Sequence, residues 1–328
     1  MIGVFRSSTG LGSAVLHTKW KTMIAFAIIY FVWGSTYFAI RVGVSQMPPL
    51  LMAAIRFTVA GLALSVWALA RGVRLPNHRQ WASITLLAFL IFVMDYGILF
   101  WAEQRVPSGV TAVILATIPA FMALAEILWL RTQRLTLRLG VALLIGLAGV
   151  VVLIDPFMGV GGAPVYFLGA IGLVAAALSW SGASVLTRLL PLPSSKVMSA
   201  GTQMLSGGLF LGLAAWIFGE AGRFQPAAVS GGAWFALLYL IVAGSIVGFT
   251  AYTWLIHHES PTKVGTYAYV NPVVAVVIGY FLGGEALDRR TVFGTLFVVV
   301  SVLIITSGRT TQAQTRAQAL PQLNAERP

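Results

Sequence analysis

Two tracts decide the fold: FVWGSTYFAIRV at 31–42 and LSWSGASVLTRL at 178–189. In each a Trp precedes an Arg by eight positions, Trp33 before Arg41 and Trp180 before Arg188. Small or hydroxyl residues follow each Trp directly: Gly34, Ser35 and Thr36 in one, Ser181, Gly182 and Ala183 in the other. A second match lies further along, in the same order. Ile118-Pro119 and Asn271-Pro272 each fall inside an apolar run, and each run passes through a polar turn to a Gly, Gly140 or Gly294. The offset is 147 residues for the first match and 153 to 154 for the second. Apolar sequences resemble one another cheaply. Two matches in one order at similar offsets read as a duplication.

The composition says what is duplicated. Of 328 residues, 58% are hydrophobic and only 9% are charged, against about 25% charged in a typical soluble domain. So few charges cannot cover a soluble globule of this size, and disorder, collagen and coiled coil need other compositions. An all-α integral membrane protein remains, since no window alternates in the manner of a β-barrel strand. Apolar windows cut at charges and turn residues fall near 22–44, 48–70, 81–102, 108–130, 138–155, 166–188, 197–217, 233–256, 262–283 and 290–308. Each approaches the roughly 20 residues that cross a bilayer, the fifth and tenth only just. The expectation is ten transmembrane helices in two five-helix repeats. Five is odd, so the second repeat enters the membrane from the opposite side. Inverted repeats of this kind are common in secondary transporters, which bind substrate near the midplane where the repeats meet.

Charge placement orients the chain. Of 21 Lys and Arg, Arg105, Arg223, Arg289 and Arg290 fall in one set of loops and Arg41 and Arg56 inside spans, which leaves fifteen in the segments on the other side. Short cytoplasmic loops collect Lys and Arg, so both termini are expected in the cytoplasm. The basic residues are spread over six segments, and nucleic acid is excluded as a partner of the +12 charge. The lipid bilayer is the partner that explains it. Lys19 and Lys21 precede the first apolar run as in a signal peptide, but the run is too long and lacks a small-residue cleavage site. Residues 1–21 are expected to be a cytoplasmic segment, and the polar stretch 309–328 a disordered cytoplasmic tail.

The chain resembles the EamA family of the drug/metabolite transporter superfamily. The resemblance rests on WGSTYFAIRVG (33–43), PPLLMAAIRFTVAG (48–61), VPSGVTAVILATIPAF (106–121), SWSGASV (179–185), YAYVNPVVAVVIG (267–279) and GGEAL (283–287), and spans roughly 22–308. It implies a first repeat at 22–155, a second at 166–308, ten helices, and export of amino acids or other small metabolites across a bacterial inner membrane. One departure stands out. The family's Glu in the turn before the last helix of each repeat is present once, as Glu285, whereas the first repeat has RTQRLT at 131–136.

The residues suited to transport are polar or aromatic and lie at mid-span. They are Trp33, Ser35, Tyr37, Tyr96, Thr117, Ser179, Trp180, Ser181, Thr250, Tyr252, Tyr267, Tyr269 and Asn271. Such a set accepts the polar ends of a small molecule while its rings contact an apolar part. Any one hydroxyl more often bonds its own helix. The set converges from six helices, which favours a site. Substrate binding is accordingly expected at Trp33, Ser35, Tyr37, Tyr96, Thr117, Trp180, Ser181, Tyr252, Tyr267 and Asn271. Pro119 and Pro272 each free a backbone carbonyl, of Leu115 and Ala268, and are expected to kink the helices that line the path, with Thr117 and Asn271 nearby to help. Trp20, Trp81, Trp129, Trp216 and Trp234 sit near span ends as interface anchors. Gly208 and Gly212 form a GxxxG suited to close helix contact, within one subunit or across a homodimer.

Arg56 and Asp95 are the intramembrane charges, each eight residues from the same end of its span, about 12 Å deep. Equal depth suggests an Arg56–Asp95 pair. The competing reading has Arg56 snorkelling and Asp95 neutral or facing water. Glu126 is expected to snorkel toward the interface near Arg131.

Zero Cys removes disulfides, thiolate metal sites and a Cys nucleophile. His17, His78, His257 and His258 lie at span ends, and no metal-ligand spacing or phosphate loop appears. No enzyme, cofactor or metal is therefore expected. The leading expectation is a secondary transporter exporting small-molecule substrates, amino acids foremost, by alternating access. A sugar-phosphate or nucleotide-sugar exchanger is the alternative within transport, and it wants more midplane cations than Arg56. A non-transporting membrane regulator or scaffold is the alternative outside it.

Overall fold

The computed structural model describes residues 20–130, 136–154, 164–259 and, save for 266, 286, 288, 290, 298 and 302, 264–304. All regular structure among these residues is helical. Seven helices are long and apolar enough to cross a membrane: α1 (Trp20–Val44), α2 (Pro49–Ala70), α3 (His78–Ala102), α4 (Ser108–Trp129), α6 (Phe167–Leu186), α7 (Lys196–Ile217) and α8 (Gly231–His258). Three further apolar helices are α5 (Leu137–Ile154), α9 (Tyr267–Gly283) and α10 (Thr291–Ser301). The chain is an all-helical membrane protein. The expected ends 1–21 and 309–328 lie outside the described residues but for Trp20 and Lys21.

Local chemistry sets where the helices start. Pro49 occupies the first turn of α2, where its missing N–H costs nothing. Asn77 and Gln80 form a capping box at the start of α3. Ser195 and Ser230 cap α7 and α8 by accepting from Met198 N and Ala233 N. A short helix, Glu220–Arg223, covers the start of α2, where Glu220 Oε2 accepts from Leu51 N at 2.9 Å.

Several helices depart from regular winding at mid-span. Wide π-helical turns occupy Ile28–Val32 of α1, Phe89–Gly97 of α3 and Leu240–Val247 of α8. Such turns release carbonyls and re-aim side chains. In α4 the helix breaks between Leu115 and Ile118, one residue before Pro119.

The closest helix contact joins α2 and α7. A Cβ added to Gly61 would collide with Leu205 N, and one added to Gly208 with Thr58. A Cβ on Gly201 would lie 2.8 Å from Ser65 N, and one on Gly212 3.8 Å from Ala54 Cβ. The residue numbers in all four pairs add to 266, which antiparallel helices require. A shift of 147 also exchanges the pairs with one another, Gly61–Leu205 with Thr58–Gly208 and Ser65–Gly201 with Ala54–Gly212. This is the self-complementary pattern of an isologous contact, made here between two helices of one chain. The GxxxG of α7 thus faces α2 and is used inside the subunit. Gly146 of α5 likewise packs on Ser301 of α10.

Candidate functional site: an aromatic cage at mid-span

Trp33 is the hub. Its indole Nε1 donates to Gly244 O at 3.1 Å, within the π turn of α8. Gly248 makes room for the ring, since a Cβ there would strike Trp33 Nε1. Trp33 contacts Trp180, Tyr252 and Tyr267, with ring centroids 5.8, 5.1 and 5.4 Å away. Trp180 packs in turn on Tyr252 at 5.4 Å and on Tyr96 at 6.0 Å. Phe92 and Phe249 extend the cluster beside Tyr96 and Tyr252. The five central rings come from α1, α3, α6, α8 and α9.

Polar groups at the cage divide into satisfied and unsatisfied. Tyr252 OH shares a hydrogen bond with Ser184 Oγ at 3.0 Å. Trp180 Nε1 and Tyr267 OH are buried without a partner. Buried donors are normally paired, so unpaired ones gathered at one place call for an explanation. A polar ligand would supply it.

The other expected site residues lie around the cage. Ser35 Oγ donates to Val32 O and meets Tyr239 OH at 2.6 Å. Ser179 Oγ donates to Leu90 O. Thr117 Oγ1 donates to Ile114 O at 2.7 Å, one residue short of the carbonyl that Pro119 was expected to free. Ser181 Oγ donates across to Ile118 O at the break in α4. Asn271 is buried and faces the carbonyls of Tyr267, Ile29 and Tyr30 at 3.2, 3.1 and 2.8 Å. Only its amide nitrogen can donate to all three, and it is assigned that way round. Asn271 thereby braces the π turn of α1 against α9 near Pro272, whereas the sequence suggested the Ala268 carbonyl. Thr117, Ser181 and Asn271 are hydrogen-bonded into the scaffold. Tyr37 is half-buried and joins none of the ring contacts. The Tyr269 side chain lies outside the described residues.

The Arg56–Asp95 pair is not formed. Arg56 is 1% exposed, and its Nε donates to Ser245 Oγ at 2.8 Å. The guanidinium carbon lies 4.7 Å from the Phe57 ring, 5.2 Å from Tyr96 and 5.8 Å from Phe100. Asp95 is also buried, with Oδ1 unpartnered. Depth along two helices was matched, but depth does not fix the direction in which a side chain leaves its helix. The π turns at Phe89–Gly97 and Leu240–Val247 alter those directions, and the second brings Ser245 to Arg56. Arg56 does not snorkel either. Glu126 is buried at 7% exposure and does not reach out to the interface as expected.

One end of the bundle carries a charged tie that the sequence reading did not find. Gly284 takes a left-handed conformation (φ 62°), which glycine tolerates best, and the chain turns back after α9. Glu285 Oε1 accepts from Ser108 N at 3.0 Å and Ser108 Oγ at 2.7 Å, and Oε2 from Gly109 N at 3.2 Å. A carboxylate at the first turn of α4 meets unpaired N–H groups and the positive end of the helix dipole. Arg41 Nε stands 3.3 Å from Glu285 Oε1, and Arg41 Nη1 donates to Val106 O at 2.8 Å. Glu103 lies beside them, 1% exposed, with both carboxylate oxygens unpartnered. Burial pushes its carboxyl well above the usual range, with Arg41 opposing and Glu285 adding to the rise.

Comparison with known proteins places this geometry. The model of the EamA-like transporter family matches residues 20–155 and again 167–307. The "Uncharacterized inner membrane transporter YedA" of Escherichia coli (strain K12) is 38% identical over 287 residues, covering 87% of this chain and 90% of that protein. Protein PecM of Dickeya dadantii is 27% identical over 276 residues, covering 84% of this chain and 88% of its own. A solved crystal structure 23% identical in sequence superposes with a TM-score of 0.62 over 88% of this chain and 96% of that one, and so shares the fold. The chain belongs to the EamA-like transporter family, and it is a transporter, not an enzyme.

Proposed function

We propose that the protein is a secondary transporter that exports small, partly apolar metabolites, amino acids foremost, across a bacterial inner membrane by alternating access. The carrying observation is the ring cage. It draws on α1 and α3 from one half and on α6, α8 and α9 from the other, and it keeps Trp180 Nε1 and Tyr267 OH without partners. Rings hold the apolar part of a ligand and the free groups hold its polar end.

Ten spans in two inverted five-helix repeats, near 22–155 and 166–308, support this mechanism. The antiparallel, self-exchanging contact between α2 and α7 favours that arrangement, as do π turns in both α3 and α8. With both termini in the cytoplasm, as the fifteen Lys and Arg on one side favour, the Glu285 tie faces outward. The name of YedA supports the inner membrane.

The test is flux from proteoliposomes over a panel of amino acids and neutral metabolites, with Trp33→Ala as the impaired control. Uptake of any panel member that depends on Trp33 is the expected result. No flux of any, with folded protein in the bilayer, overturns the reading. A reporter fused after Pro328 that reads outside would overturn the orientation.

A further inference from the structure

Arg56 is the largest fully buried side chain among the described residues, and only part of its guanidinium is used. Its Nε is bonded to Ser245, and its face lies among Phe57, Tyr96 and Phe100. Its Nη1 is buried without a partner. Neither buried acid on α3 or its end supplies one. Asp95 Oδ1 and both oxygens of Glu103 are themselves unpartnered, and the one ion pair among the described residues is Arg41–Glu285. A cation held in hydrocarbon faces the protein interior and marks a functional site by default.

The same Tyr96 ring that lies near Arg56 packs on Trp180 of the cage. Tyr96 thus links the two, its ring centroid 5.2 Å from the guanidinium carbon and 6.0 Å from the Trp180 ring. α8 leaves space for the cation, since a Cβ on Gly244 would come within 2.9 Å of Arg56 Nη2.

We propose that Arg56 is the anion subsite of the cage and seats the carboxylate of a small acid whose apolar remainder lies among the rings. The proposal rests on the cage being the substrate site. Arg suits the task where Lys would not. Its planar group can lie against aromatic faces and bond Ser245 while an N–H edge stays free for a carboxylate.

The experiment is calorimetric titration of the purified full chain in detergent with L-leucine, L-leucinamide and 4-methylpentanoate. The two acids should bind about ten- to hundredfold more tightly than the amide, the scale of one hydrogen bond to a charged group. Arg56→Gln should abolish the preference of the acids over the amide, and Arg56→Lys should restore part of it. Equal affinity for leucine and leucinamide, no binding of either acid, or an acid preference that survives Arg56→Gln overturns the proposal. If Arg56→Gln does not fold, the acid-to-amide comparison on the unaltered chain decides, with Ser245→Ala expected to reduce the preference by misaligning the guanidinium. Failure of transport is read separately. Acid-selective binding without flux in proteoliposomes sinks the export reading alone, and flux without acid selectivity sinks the Arg56 subsite alone.

Discussion

Gly208 and Gly212 stand one turn apart on α7 and should respond in opposite directions to the same added methyl. In Gly208→Ala the new Cβ would lie 2.5 Å from Thr58 N. Comfortable contact needs about 3.5 Å, so α2 and α7 must part by about 1 Å. Thr58 N is backbone, and no rotamer change can relieve it. Overpacking of this kind costs about 1–3 kcal/mol, and a clash with backbone belongs at the upper end. The gain in helix propensity from Gly to Ala, about 1 kcal/mol, offsets part of it. The net loss is then about 1–2 kcal/mol. In Gly212→Ala the Cβ meets Ala54 Cβ at 3.8 Å, an ordinary contact, so the propensity gain survives and stability rises by up to about 1 kcal/mol. Unfolding of the purified variants in matched detergent should separate the two by roughly 1–3 kcal/mol. Gly61→Ala, whose Cβ would collide with Leu205 N, should behave as Gly208→Ala does. Equal effects at Gly208 and Gly212, or a neutral Gly208→Ala, would refute the packing described for this contact.

Two other outcomes follow from the site. Trp33→Phe removes the bond to Gly244 O and should lower stability by about 0.6 kcal/mol, up to about 1.7, whereas Trp180→Phe removes an unpartnered donor and should reduce flux with little change in stability; thermal unfolding and proteoliposome flux read the two apart. Glu103 has its carboxyl raised by burial, so the folded state holds a proton that the unfolded state releases above the ordinary Glu value; stability should fall as pH rises from there toward the raised value, and a thermal-unfolding pH series should flatten in Glu103→Gln.

The sequence carried the helices because their signals are local. Hydropathy runs with Pro49, Asn77, Ser195 and Ser230 at their starts place α2, α3, α7 and α8 within three residues of the expected windows. It carried the cage rings because each is a large aromatic residue at mid-span, and the repeat matched Trp33 to Trp180. One signal was open to reading: Gly61 and Gly208 are 147 apart, the offset of the first repeat match, and mark the α2–α7 contact. The GGEAL turn points to Glu285 but not to its partners, Ser108, Gly109 and Arg41, which lie far away in the chain. The partners of Arg56 could not be read. They depend on π turns, which leave no mark in hydropathy and which swing Ser245 toward the cation. The partners of Asn271 could not be read for a similar reason: two of them, the Ile29 and Tyr30 carbonyls, lie in the π turn of α1, far away in the chain.

Among the described residues the Glu285 tie has no twin. Its carboxylate fastens the ends of α9, α4 and α1 through three hydrogen bonds and an ion pair, while the first repeat carries RTQRLT where an acid would be needed to do the same at the opposite end. In the proposed alternating-access mechanism, a fastening at each end would hold each extreme state in turn. A fastening present once tilts the balance. In this conformation the Glu285 end of the bundle is held together, and parting α1, α4 and α9 there must first break that latch. A single unmatched glutamate would thus give the proposed transporter a preferred resting state.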